Sequence, residues 1–296
     1  MKRHSRSDLF EASGRYRPDD IDPITGWAAV HDDPNHPSAV AHRSRTLAAA
    51  WRTPIPDRVR FLEDRVRGRN VLDIGCVAHA TTRLTNDRWL HGRLARAAAR
   101  CIGVDLLEEG VAAVVDAGFD AVVHDLSTGL GPLREHGPFD VIVAGELIEH
   151  ITDLDMVFQT AERGLTQEGS LILTTPNPFS PQRVRAGQLG IVWENVDHVS
   201  YLFPSGIAEL AARNGLMLLE AATTEPKRGR PGSTVQKIKR TIRGSHWRNV
   251  GFDSAHDGSP IPVEAGPFAR LLRRYVMPQP HFIGETFIYV VGRPPL

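Results

Sequence analysis

Val71-Leu72-Asp73-Ile74-Gly75-Cys76 is a short apolar run broken by an acid and a glycine. It reads as a buried strand that ends at a tight turn. Working outward, the same punctuation recurs. Residues 101–105, 119–124, 139–144, 170–175, 216–222 and 286–291 are further expected strands. Helical stretches separate them at 86–100, 107–117, 154–164 and 204–214, and Asp57 is placed to cap a helix through Val66 that Gly68 stops. Strands alternating with helices imply crossover connections. The expected fold is therefore α/β: a doubly wound, mostly parallel sheet of seven strands with helices on both faces.

Composition narrows the classes. With 41% hydrophobic and 24% charged residues the 296-residue chain is that of a globular protein. Equal numbers of basic and acidic residues, 35 each, leave no net charge for general nucleic-acid binding. Two cysteines, Cys76 and Cys101, exclude a disulfide scaffold and a four-cysteine zinc site. The polar N-terminus does not read as a secretory signal, and no apolar run approaches the roughly 20 residues that span a bilayer. A cytoplasmic location is expected. Residues 1–56, rich in proline, read as a partly irregular extension that folds over a site, with a helix from an N-cap at Ser38 to Trp51. The core is expected at 57–222, a Gly- and Pro-rich basic insertion forming the substrate region at 223–284, and the final strand and tail at 285–296.

Three acids close three successive strands. Asp73 precedes Gly75, Asp105 closes the next strand, and His124-Asp125-Leu126 ends the third. Ligands of doubly wound proteins bind at this carboxyl edge. An acid such as Asp105 can accept both hydroxyls of a ribose, so the three together suit a nucleoside. A nicotinamide dinucleotide would want a G-x-G-x-x-G turn under its pyrophosphate, which is absent.

The segments VLDIGC (71–76), IGVD (102–105), HDL (124–126), FDVIVAGELIEHI (139–151), GSLILTTPNP (169–178) and DHVSYLFPSGIAELAARNGL (197–216) together resemble the class I S-adenosylmethionine-dependent methyltransferases, whose fold is Rossmann-like. The resemblance implies transfer of a methyl group from S-adenosylmethionine. It places Asp73 and Gly75 at the methionine end, Asp105 at the ribose, Asp125 with Leu126 at the adenine and Glu146 near the reacting centre, and adds Cys76 and Leu106 to the cofactor-binding residues. One departure stands out: the family's first motif continues with two more glycines, where this chain has Val77 and His79. Either the loop takes another path or His79 donates to the cofactor. A non-catalytic S-adenosylmethionine-binding protein is the reading that this departure leaves open.

A second cluster is Glu146-Leu147-Ile148-Glu149-His150, which on a helix would place Glu146, Glu149 and His150 on one face; Asp197-His198 adds an imidazole. Two carboxylates and two imidazoles suit Mg²⁺, Mn²⁺ or Zn²⁺. The pattern is similar to the metal site of small-RNA 2′-O-methyltransferases and resembles ubiquinone-biosynthesis O-methyltransferases. Without a metal, Glu146 and Glu149 would stabilise a helix N-terminus and His150 would pack under the sheet edge. His150 or His198 is then the expected general base, with Glu149 in the catalytic set. A third feature is a run without acids, from Lys227 to Arg248 with Trp247 among its bases, whose natural partner is phosphate. The expected activity is O-methylation of a small-molecule, sugar or lipid-linked acceptor, with or without a phosphate; metal-assisted 2′-O-methylation of RNA is the other enzymatic reading.

Overall fold

The computed structural model describes residues 26, 30–77, 84, 86, 87, 89–225 and 284–294. The elements in chain order are α1 (Pro37–Ala50), α2 (Arg58–Val66), β1 (Asn70–Ile74), α3 (Leu90–Ala97), β2 (Arg100–Asp105), α4 (Glu108–Asp116), β3 (Ala121–Val123), β4 (Phe139–Gly145), α5 (Asp155–Gly164), β5 (Leu165–Pro176), α6 (Pro181–Gln188), α7 (Pro204–Arg213), β6 (Met217–Thr223) and β7 (Thr286–Gly292). The strands form one seven-stranded sheet in the order β3-β2-β1-β4-β5-β7-β6. β3, β2, β1, β4 and β5 pair in parallel, and β7 runs antiparallel to both β5 and β6. This is the expected doubly wound, mostly parallel architecture.

Both faces of the sheet are covered, as a parallel sheet requires. Val71, Val141, Val143, Ile172 and Val290 pack with Leu62 and Val66 of α2 and Leu94 of α3. The alternate residues Leu72, Ile142, Ala144, Leu171 and Leu173 are equally buried, so the period-two pattern delivers two apolar faces. Ile74 of β1 stands beside Val104 of β2 and Ala144 of β4, so these strands reach their carboxyl ends together. The strand order reverses between β1 and β4, and the crevice of a doubly wound sheet opens at such a point.

Several local expectations change. The helix in the N-terminal extension begins with Pro37 at its first position, and His36 rather than Ser38 is the cap: its ring accepts from the Ser38 amide. Arg52 and Ile55 donate their amides to Ala221 and Thr223 of β6, blunting the exposed edge of the sheet. The third strand is only three residues long, the helix expected over 86–100 spans 90–97, and β5 begins five residues early at Leu165. Helix α6 was not anticipated, although Pro181 at its first position is a start signal. The expected helices near 235–242 and 268–275 lie outside the described residues. No described helix is long and apolar enough to cross a membrane.

Asp57 caps α2 as expected, accepting from the amides of Val59 and Arg60 at 2.9 and 3.1 Å. Asp57→Ala should cost about 1 kcal/mol and lower Tm by roughly 2–4 °C. Thermal denaturation followed by circular dichroism checks this; an unchanged Tm would mean that burial of Leu62 and Val66 alone sets the helix.

Candidate functional site

The carboxyl edge of β1 and β2 is a tightly joined corner. Gly75 turns the chain with φ +77°, and a Cβ there would come within 2.8 Å of Leu147. Asp105 then accepts from three amides: Val77 on one carboxylate oxygen at 3.0 Å, Leu106 and Leu107 on the other at 2.8 and 3.2 Å. One side chain thus ties the loop after β1 to the end of β2. Each carboxylate oxygen has two lone-pair sites, so capacity remains for a ligand hydroxyl. Beside it, Leu106 and Leu107 expose 64% and 58% of their surface, an apolar shelf at a polar edge.

Not every acid expected here is presented to a ligand. Asp73 is buried, and its carboxylate lies 3.0 Å from Nδ1 of His91 in α3, so it braces the helix beneath the loop instead of bordering the cleft. Cys76 is buried, and burial together with nearby Asp73 and Asp105 pushes its thiol far above the usual range. Its carbonyl accepts from the Trp89 indole, which fits a packed residue and not a nucleophile. Asp125 caps the short turn Leu126–Thr128 by accepting from the Ser127 amide, and hydrogen bonds from Ser127 hold its carboxyl below the usual range. Leu126 itself is buried, so its side chain belongs to the core.

The departure at Val77 has a local counterpart. A Cβ on Gly110 of α4 would come within 2.3 Å of a Val77 methyl. The absence of a side chain at Gly110 leaves the room that the Val77 side chain occupies. His79 lies outside the described residues.

The second cluster sits where β4 and β5 end, but not on a helix. Residues 148–150 form a turn, and Glu146 has φ +55°, in the left-handed region that side chains seldom occupy. The shared helical face expected for Glu146, Glu149 and His150 is therefore replaced by a turn. The turn nonetheless brings Glu149, His150 and His198 together: each offers one ligand atom, all within 4.8 Å of one another. Glu146 stands apart from this trio, its carboxylate 3.4 Å from Arg58 and its amide bonded to Thr174.

All four residues line a cleft of about 430 Å³ whose walls also include Arg183, Val192, Trp193, Glu194 and Asn195. Glu149 is 1% exposed and accepts from the Thr175 hydroxyl at 2.9 Å. Burial, with Glu146 adding like charge, pushes its carboxyl up to about 7. His150 places Nδ1 3.1 Å from Asp197, and His198 places Nδ1 2.9 Å from Glu194. The two rings stand edge to face, their centres 4.7 Å apart.

Glu194 and Arg183 were not singled out in the sequence. They lie eleven residues apart across a loop, so no helical or strand period links them, yet they form an ion pair in the cleft wall. Burial acts to raise Glu194, but hydrogen bonds from Arg183, Tyr201 and His198 outweigh it and hold the carboxyl below its usual range. The Tyr201 hydroxyl is pushed up to about 12 by burial and by Glu194. The basic run at 227–248 lies outside the described residues.

A family model described as a methyltransferase domain matches residues 39–221. Among curated relatives, a ubiquinone biosynthesis O-methyltransferase of Cupriavidus pinatubonensis is 23% identical over 217 residues, covering 69% of this chain and 79% of that one. The mitochondrial protein of the same description from Rattus norvegicus is 29% identical over 146 residues, 47% of this chain; the match spans only 38% of the rat protein's length. A solved structure of a TehB-like SAM-dependent methyltransferase from Corynebacterium glutamicum aligns over 88% of this chain and all of its own, at 19% identity and TM-score 0.44.

Two outcomes are expected from this geometry. Gly110→Ala should weaken S-adenosylhomocysteine binding by at least about tenfold, because the new methyl displaces Val77 and with it the Asp105 contact. Adding Val77→Gly should restore it; calorimetry that finds no effect of the single change would disconnect this contact from the cofactor. Glu149 binds a proton in the folded state between pH 4.5 and about 7 that the unfolded chain has released. Unfolding free energy from this group therefore falls as pH rises through that window, by up to about 3 kcal/mol. Glu149→Gln should remove the decline, raising stability at pH 8 while leaving it nearly unchanged at pH 4, as read by urea denaturation.

Proposed function

The chain belongs to the methyltransferase-domain family of class I S-adenosylmethionine-dependent enzymes, and from that premise we propose that it methylates a hydroxyl of a small, uncharged acceptor held against Glu149, His150 and His198. The convergence of these three groups in the cleft at the ends of β4 and β5 carries the reading. S-adenosylmethionine fits the adjoining corner: Asp105 for a ribose hydroxyl, Leu106 and Leu107 for a flat apolar base, Gly75 for close approach of the backbone. Asp73 and Cys76 act beneath this surface, and Asp125 and Leu126 shape the turn next to it.

Methyl transfer from a sulfonium is an in-line displacement, so most of the enzyme's work is to align donor and acceptor. A hydroxyl acceptor must also lose its proton. His198 and His150, each with Nδ1 directed at a carboxylate, suit the role of general base through the other ring nitrogen. The same trio fits a divalent cation, since one carboxylate and two carboxylate-oriented imidazoles form a recognised donor set. When bound, such an ion would supply a positive charge that lowers the pKa of the acceptor hydroxyl. It would also stabilise the ionised form of Glu149, the charge that burial alone disfavours.

Charge supports an uncharged acceptor over a phosphorylated one. Among the described lining residues, Glu146, Glu149 and Glu194 outnumber Arg183, which is itself engaged by Glu194 and Glu285, while Glu146 is paired with Arg58 behind it. The relatives named as O-methyltransferases add weight to oxygen as the methylated atom.

Calorimetry of metal-stripped protein with S-adenosylhomocysteine, alone and with Mg²⁺, Mn²⁺ or Zn²⁺, tests both sites. Binding weakened at least about tenfold by Asp105→Ala, and methylation of a simple catechol lost in His198→Ala with cofactor binding intact, are the expected results. Catechol turnover unchanged in both His150→Ala and His198→Ala would overturn the acceptor assignment.

A further inference from the structure

Glu194 gathers more of the cleft wall than any role so far given to it. Its side chain is only 8% exposed. It accepts from Arg183 through Nε, with Nη2 also directed at it, from Nδ1 of His198 at 2.9 Å, and from the Tyr201 hydroxyl. Arg183 reaches onward to the Glu285 carbonyl at 3.2 Å and lies 3.8 Å from the Glu285 carboxylate, just before β7 begins. Tyr289 of β7 anchors the same wall by donating its buried hydroxyl to the Leu202 carbonyl at 2.9 Å. The segment carrying His198 is thus fastened at two points to β7 and the residue just before it, and one of these passes through Glu194.

A carboxylate can only accept a hydrogen bond, so a neutral His198 bonded to Glu194 carries its proton on Nδ1. That leaves the lone pair on Nε2, the form needed to take a hydroxyl proton or to ligate a cation. An unrestrained imidazole has no such preference imposed on it. We propose that Glu194 is a positioning residue that selects the Nδ1–H tautomer of His198 and fixes its ring in the acceptor cleft. Arg183 and Tyr201 keep Glu194 ionised and aimed while it does so. His150 offers the internal contrast: its partner Asp197 is 53% exposed, where solvent screens the contact and competes for it.

The consequence for acceptor or cation binding rests on the function proposed above; the tautomer does not. The test therefore reads both. Nitrogen-15 NMR of histidine-labelled, metal-stripped full-length protein at pH 8 should show His198 as the Nδ1–H tautomer, and Glu194→Ala should move it toward Nε2–H. Calorimetry with Mn²⁺ should show affinity reduced about 10- to 100-fold by Glu194→Ala, partly recovered in Glu194→Asp, and changed less than about threefold by Asp197→Asn. Unaltered S-adenosylhomocysteine binding and a cooperative melt would show that the fold survives. If Glu194→Ala does not fold, Glu194→Gln keeps the shape without the charge, and a mixture of tautomers is expected.

A native His198 already protonated on Nε2, or a tautomer indifferent to Glu194, overturns the proposal whatever the metal data show. Native protein that binds no Mn²⁺ but shows the tautomer shift removes the cation from the functional reading and leaves the positioning role standing. Mn²⁺ binding lost in Glu149→Ala yet untouched in Glu194→Ala, with no tautomer change, does the reverse.

Discussion

A parallel sheet covered on both faces leaves its polar side chains few places to go. Along β1, β2 and β4 nearly every interior position is apolar and buried, and the one buried acid, Asp73, needs His91 as a partner. Chemistry is therefore driven to the carboxyl ends. The register that aligns Ile74, Val104 and Ala144 brings those ends level, so Gly75, Asp105 and Glu146 emerge around one crevice. Both halves of the site depend on this constraint. The corner proposed for the cofactor is built from the first two ends, and the cleft proposed for the acceptor from the ends of β4 and β5.

The two halves are held by different physics. At the corner, backbone amides meet one carboxylate: Asp105 satisfies three donors and fixes the loop without a second charge. In the cleft, charges meet charges in partial burial, and the balance is less comfortable. Glu149 is buried with a hydroxyl donor and two nearby imidazoles, Arg58 compensating only in part, and its raised carboxyl records that cost. Such a group sits badly in a purely structural role and well in one that takes up a proton or a cation. Glu194 has the opposite environment, with Arg183 fixing its charge, which suits a group that orients another and does not itself react.

Much of the fold was legible before any coordinates. Apolar runs closed by Asp or Gly located the parallel strands, and Asp57 announced α2 through a cap that the structure contains. Errors fell where local signals compete. The i, i+3 and i+4 spacing within 146–150 favours a helix face, but the end of β4 and the bond from the Glu146 amide to Thr174 hold it as a turn. The groups converged anyway, since a tight turn also folds three residues back on one another. Ser38 lost the cap to His36 because Pro37, which has no amide to satisfy, takes the first helical position more readily.

Local sequence determined the α/β class, the strand ends that carry acids, and the residue types able to serve a nucleoside and an acceptor. These follow from periodicity and punctuation, which are properties of neighbours along the chain. Tertiary structure alone decided which of those side chains meet. It turned Asp73 inward onto His91, set Gly110 of α4 against Val77, and joined Arg183 to Glu194 across a loop with no period of its own. It also placed His198 about fifty residues downstream against Glu149 and His150. Such pairings depend on how elements pack in space, and spacing along the chain does not encode that distance.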